Sequence, residues 1–99
     1  MAIMEVSVVT VGTGSASQGD VVAETIRVAK RHGAKFALNP MGTALEADLD
    51  TLFKIAREMH EVCFNGGTQR VITTIRIDDR RDKELSMEYK VDSVMAKVR

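Results

Sequence analysis

The residues able to do chemistry fall into a few short blocks. Gly12-Thr13-Gly14-Ser15 sets backbone N–H groups between an apolar alternating run and a helical pattern, an arrangement that suits an anion. It has neither the lysine of a phosphate-binding loop nor the third glycine of a dinucleotide fingerprint, so it reads as a glycine turn whose hydroxyls are open to a non-nucleotide pocket. Asp78-Asp79-Arg80-Arg81-Asp82 offers carboxylates to a metal and guanidinium groups to a phosphate, but opposite charges side by side mostly neutralise one another. A salt-bridged, solvated corner is the expectation there. Thr74 and Arg76, just before it, are better pocket candidates.

Catalytic constellations are harder to assemble. His32 and His60 fall on separate helical patterns without a ligand partner at metal-binding spacing, and Cys63 falls on an apolar stripe. There is no Gly-x-Ser-x-Gly, His-Glu-x-x-His or Cys-x-x-Cys. Glu5 and Glu46 make a carboxylate pair only if a sheet brings them together. No catalytic residue, metal site or cofactor is therefore expected.

The elements that must position these residues are legible from periodicity. Ile3 to Val11 alternates, with Met4, Val6 and Val8 on one parity, and predicts a first strand. A helix follows to about His32, with Ser17 as cap, Asp20 in its first turn, Val22, Ile26 and Ala29 on its apolar face and Gly33 as its stop. Ala34 to Glu46 reads as a hairpin or bent strand pair around Pro40, with Pro40 on the edge strand. Asp48 or Asp50 caps a second helix carrying Leu49, Leu52, Phe53, Ala56, Met59 and Cys63 inward, stopped by Gly66-Gly67. Arg70 to Asp78 is the clearest strand, and Met87, Val91, Val94, Met95 and Val98 give a last helix one apolar side that must dock on something.

The order β-α-β-β-α-β plus a helix predicts an α+β, ferredoxin-like sandwich over residues 1–99, with two helices on one face of a four-stranded antiparallel sheet. The other face is expected to be bare and partly apolar through Val9, Val11 and Ile72, and so to be buried in an oligomer or a pocket.

Composition narrows the functions. With 44% apolar and 28% charged residues the chain is expected to fold throughout as one domain. Fourteen Lys and Arg against fourteen Asp and Glu leave no overall field for nucleic acid or an anionic membrane. A single cysteine, no secretory signal pattern and no apolar run of bilayer length predict a cytoplasmic location and no membrane role.

Three blocks carry a resemblance. Val11-Gly12-Thr13-Gly14-Ser15, then Asn39-Pro40-Met41-Gly42-Thr43 with Glu46, then Thr73-Thr74-Ile75-Arg76-Ile77-Asp78-Asp79-Arg80-Arg81-Asp82 together closely resemble the thiamine-binding protein family. The resemblance covers nearly the whole chain, and the last block is its most specific part. It implies a ferredoxin-like domain that dimerises through its sheets and pairs again into a homotetramer. It also implies binding, without turnover, of thiamine or its hydroxymethylpyrimidine moiety. The implied pocket draws on Thr13, Gly14 and Ser15, on Asn39, Met41, Gly42, Thr43 and Glu46, and on Thr74 and Arg76. The competing expectation is an oligomeric regulatory or scaffold module that takes an allosteric anion or a protein partner on the open sheet face.

Overall fold

The computed structural model describes residues 1–14 and 18–99. Its elements run β1 (Ala2–Val11), α1 (Gly19–Arg31), β2 (Lys35–Asn39), β3 (Gly42–Ala47), α2 (Leu49–Val62), β4 (Arg70–Asp78) and α3 (Met87–Val98). The four strands lie in the order β2-β3-β1-β4, each antiparallel to its neighbour. This is the ferredoxin-like α+β sandwich that the element order predicts. No helix of the described residues is long and apolar enough to cross a membrane.

Alternation along β1 sorts the two faces. Ala2, Met4, Val6 and Thr10 are buried, while Val9 is exposed and Ile3, Glu5, Ser7 and Val11 are half-buried on the opposite side. Met4 is paired with Leu45 on one side and Ile77 on the other, which puts all three beneath the helices. Val28 and Ala29 of α1 and Leu52, Ile55, Ala56 and Met59 of α2 close this core. Each large side chain withdrawn from water there stabilises the fold by about 1.5–3 kcal/mol. A slip of one residue in the register would turn that whole set outward, so the apolar parity fixes which residues face the open side.

The helix ends follow from local chemistry. Asp48 caps α2, accepting from the Thr51 backbone N–H at 3.0 Å and from its hydroxyl at 2.6 Å. Gly33 adopts φ +66°, and its N–H and that of Ala34 bond back to Lys30 and Ala29 carbonyls, which ends α1. The expected cap Ser17 lies outside the described residues. The N-cap position is Gln18, whose side-chain oxygen accepts from the Thr10 N–H at 3.0 Å and hydroxyl at 2.9 Å, tying the start of α1 to the end of β1.

Pro40, expected on the edge strand, lies instead in the turn that follows β2. Three further expectations need correction. The buried stripe of α1 is Thr25, Val28 and Ala29; Val22 and Ile26 are only half-buried and border the β2 edge beside Leu38 and Pro40. Thr25 tolerates burial because its hydroxyl donates to the Val22 carbonyl at 2.7 Å. Phe53, expected in the core, is 54% exposed, because Leu52, Ile55, Ala56 and Met59 complete the i, i+3, i+4, i+7 face without it.

The third correction concerns the open face, which is not wholly bare. Ser86 caps α3 by accepting from the Tyr89 N–H at 3.1 Å, and the first turns of α3 are held over one end of that face. Glu46 accepts from the Met87 N–H at 2.7 Å, Lys35 pairs with Glu88, and Lys90 pairs with Asp78 at 2.5 Å. Beyond those contacts Val91, Val94, Met95 and Val98 are exposed, and no residue of α3 is buried.

Candidate functional site

The register assembles a polar cluster on the open face. Residues paired across strands share a face, so Ile3 lies between Glu46 and Asp78, Glu5 lies beside Arg76, and Ser7 beside Thr74. Arg76 donates to Glu5 at 2.7 Å, and Lys90 reaches Asp78 from α3. A cavity of about 310 Å³ opens between these two ion pairs, lined by Ile3, Glu5, Arg76, Ile77, Asp78 and Lys90. It offers two carboxylate acceptors and two cationic donors beside aliphatic surface. The Arg76 and Glu5 side chains are 78% and 44% exposed, so the pair itself contributes little to folding and its groups are available to a ligand.

The expected site residues divide among three places. Thr74, Arg76 and Glu46 are on the open face, Arg76 lining the cavity and Glu46 flanking it across Ile3 while holding the first turn of α3. Asn39 and Gly42 close the β2–β3 hairpin on the same face, with Met41 at its tip, 88% exposed. A Cβ on Gly42 would come within 3.1 Å of the Val6 carbonyl, a tight contact that the hairpin would relieve by moving a few tenths of an ångström away from β1. Thr43 is paired with Val6 and only 4% exposed, which turns its side chain into the core and away from the cavity.

Thr13 and Gly14 lie beyond the far end of β1, and Ser15 is outside the described residues. Arg70 is the β4 residue paired with Val11, six positions before Arg76. At about 3.3 Å per residue that is about 20 Å along the strand. Arg76 and the Gly12-Thr13-Gly14 backbone therefore do not converge on one small ligand within a protomer. Glu5 and Glu46, the conceivable carboxylate pair, are diagonal neighbours, each engaged by a different partner, Arg76 and the Met87 N–H.

Sequence reasoning passed over Asp78 and Lys90 as cavity residues. Asp78 shares the parity of Thr74 and Arg76, a signal masked by its place at the head of a charge run. Lys90 carries no such signal, because its position depends on how α3 crosses the sheet.

Residues 4–95 match the family described as thiamine-binding protein. The chain belongs to the thiamine-binding protein family. It is 40% identical over 98 residues to the UPF0045 protein YqgV of Bacillus subtilis, covering 95% of this chain and 94% of that one. The crystal structure of MJ1052 from Methanocaldococcus jannaschii superposes with a TM-score of 0.87 at 38% identity, over 94% of each chain. TM0486 of Thermotoga maritima, named for a proposed part in thiamine biosynthesis or salvage, shares the fold: TM-score 0.77 at 17% identity over 94% of this chain and 97% of that one.

In this thiamine-binding family member several of the other reactive residues are occupied structurally. Arg80 grips Asp82 through two bonds of 2.5 and 2.8 Å, and Arg81 holds Asp79 at 2.7 Å, the salt-bridged corner expected of that run. The Arg80 bond holds the Asp82 carboxyl below the usual carboxylate range. His60 Nδ1 lies 2.7 Å from the Thr73 hydroxyl, and His32 Nε2 lies 3.0 Å from Glu58. The Cys63 thiol donates to the Met59 carbonyl, and burial pushes its pKa up, the reverse of what a nucleophile needs.

Proposed function

We propose that this protein binds thiamine or its hydroxymethylpyrimidine moiety without turning it over, in the cavity at the α3-covered end of the sheet. The observation that carries the proposal is membership of the thiamine-binding family across residues 4–95, joined to a cavity whose polar groups suit that ligand. An aminopyrimidine needs both an acceptor and a donor partner, and Glu5 and Arg76 present one of each, 2.7 Å apart. A thiazolium carries positive charge, which the carboxylates of Glu5, Asp78 and Glu46 favour. At about 310 Å³ the cavity is at the small end of the range for small-molecule sites, roughly 300–1,000 Å³. Among the described residues no aromatic side chain lines it, so recognition rests on hydrogen bonds and charge rather than on stacking.

The proposed assembly is a dimer formed through the open sheet faces and paired again into a tetramer. Val9 and Ile72, directly paired on that face, are each 48% exposed, and the apolar side of α3 stays largely exposed to solvent among the described residues. The protein would then act in thiamine salvage, trafficking or sensing in the cytoplasm. Calorimetry with thiamine and with hydroxymethylpyrimidine on the folded oligomer tests the proposal. A dissociation constant below a millimolar for either supports it, and absence of heat for both at millimolar ligand refutes it.

The uncovered side of α3 favours a second reading, an oligomeric regulatory or scaffold module with no vitamin specificity. Native mass spectrometry separates the two, because only the first predicts a thiamine or pyrimidine adduct on the assembled species.

A further inference from the structure

We infer a second ligand site, for a phosphate-like oxyanion, at the opposite end of the sheet from the proposed thiamine cavity. A cavity of about 450 Å³ lies there between the turn after β1 and the loop from α2 to β4. Gly12, Gly66 and Gly67 on its wall adopt φ of +78°, +87° and +92°. Nothing lies within 4 Å of where a Cβ on any of them would stand. Glycine at those positions provides a left-handed backbone and leaves the main chain open to close approach by a bound group.

The charge on the wall selects the ligand. Arg70 is exposed, and among the described residues it is the one ionisable side chain lining the cavity. Arg76, Arg80 and Arg81 are each held by a carboxylate, whereas among the described residues no carboxylate lines this cavity. A guanidinium fork with hydroxyl and amide groups nearby, here those of Thr68 and Gln69, matches the several acceptor oxygens of a phosphoryl group. The same lone cation disfavours a thiazolium. The roughly 20 Å between Arg70 and Arg76 makes this site separate from the thiamine cavity, and the inference does not rest on that reading.

Titration of the full chain with inorganic phosphate at constant ionic strength, followed by amide NMR, tests the site. The expected result is saturable shifts confined to Gly12, Gly66, Gly67 and the Arg70 region. Arg70→Gln, at an exposed position, should weaken the affinity by at least about tenfold, and Lys54→Gln, an exposed cation outside both cavities, should leave it unchanged. Gly67→Ala, which strains a left-handed backbone, should also weaken it, with well-dispersed spectra confirming the fold of each variant. Shifts that fail to saturate, that spread over the surface, or that survive Arg70→Gln overturn the inference. A parallel thiamine titration should move Glu5 and Arg76 resonances instead, so the failure of one site is readable apart from the other.

Discussion

Replacing Arg76 by alanine should separate binding from folding. The guanidinium bonds only Glu5 among the described residues, across an ion pair whose side chains are 78% and 44% exposed. Pairs this exposed contribute about 0.2–1 kcal/mol, so Arg76→Ala should lower unfolding free energy by no more than about 1 kcal/mol. A ligand in the cavity removes water from the same groups, and a hydrogen bond to a charged group then contributes about 1.5–3 kcal/mol. At 1.4 kcal/mol per decade that is a loss of roughly 10- to 150-fold in thiamine affinity. Glu5→Gln keeps an acceptor oxygen but loses the charge, so it should weaken thiamine, which is cationic, more than neutral hydroxymethylpyrimidine. Calorimetry with both ligands and urea unfolding of each variant supply the two quantities. Wild-type affinity in both variants, with folding intact, would refute the placement of the ligand between Glu5 and Arg76.

Other substitutions probe the scaffold around that site. Glu46→Ala removes the acceptor for the Met87 N–H and should raise amide exchange in the first turns of α3 by tenfold or more, whereas Glu46→Gln should largely preserve protection; equal exchange in all three would sink the capping role. Leu45→Ala, at a fully buried position, should cost about 2–5 kcal/mol by urea unfolding, and a loss under about 1 kcal/mol would contradict its place in the core. Acid stability should follow the carboxyls of Asp48, Asp82 and Glu88, held below their ordinary values chiefly by bonds from Thr51, Arg80 and Lys35. A depressed carboxyl stabilises the fold above its unfolded value, near pH 4, and that contribution disappears as pH falls through the folded value. The melting temperature should therefore be insensitive to these groups between about pH 5 and 7 and fall below about pH 4. Asp48→Asn, which keeps a capping oxygen, should flatten the acid limb, and an unchanged limb would show that Asp48 does not contribute to it.

The strands and their faces were legible because burial on one side enforces a period of two. Met4, Val6, Ile75 and Ile77 fall on the predicted parity, and so do Glu5, Thr74 and Arg76 on the other. The helix stripes were less legible. At 100° per residue a stripe shifted by one position still looks amphipathic, which is how Thr25 and Val28 displaced Val22 and Ile26, and how Phe53 came to lie outside. The site was readable only in its strand residues. Thr43 and Glu46 fall in one sequence block, but in a strand three positions reverse the face, so one points to the core and the other to the cavity side. Lys90 depended on where an otherwise unburied helix crosses the sheet, which no local pattern encodes.

The same antiparallel geometry explains why blocks that read as one pocket in the sequence come apart in space. Strand β1 runs from the α3-covered end to the glycine turn, so anything after Val11 is a full strand length from anything at Ile3. Arg70 and Arg76 lie on one face of one strand yet meet different surroundings: Arg76 bonds a carboxylate, and Arg70 lines a cavity shared with left-handed glycines and, among the described residues, with no carboxylate. A cation at each end with opposite local compensation makes a single ligand spanning both unnecessary. It favours two different small ligands, one that exchanges hydrogen bonds with the balanced ion pairs of the α3-covered end and an anionic one at the end where Arg70 has no carboxylate beside it among the described residues. If that division holds, excess phosphate should leave thiamine affinity unchanged in an isolated protomer. Thiamine affinity that falls as phosphate is added to the protomer would refute the division.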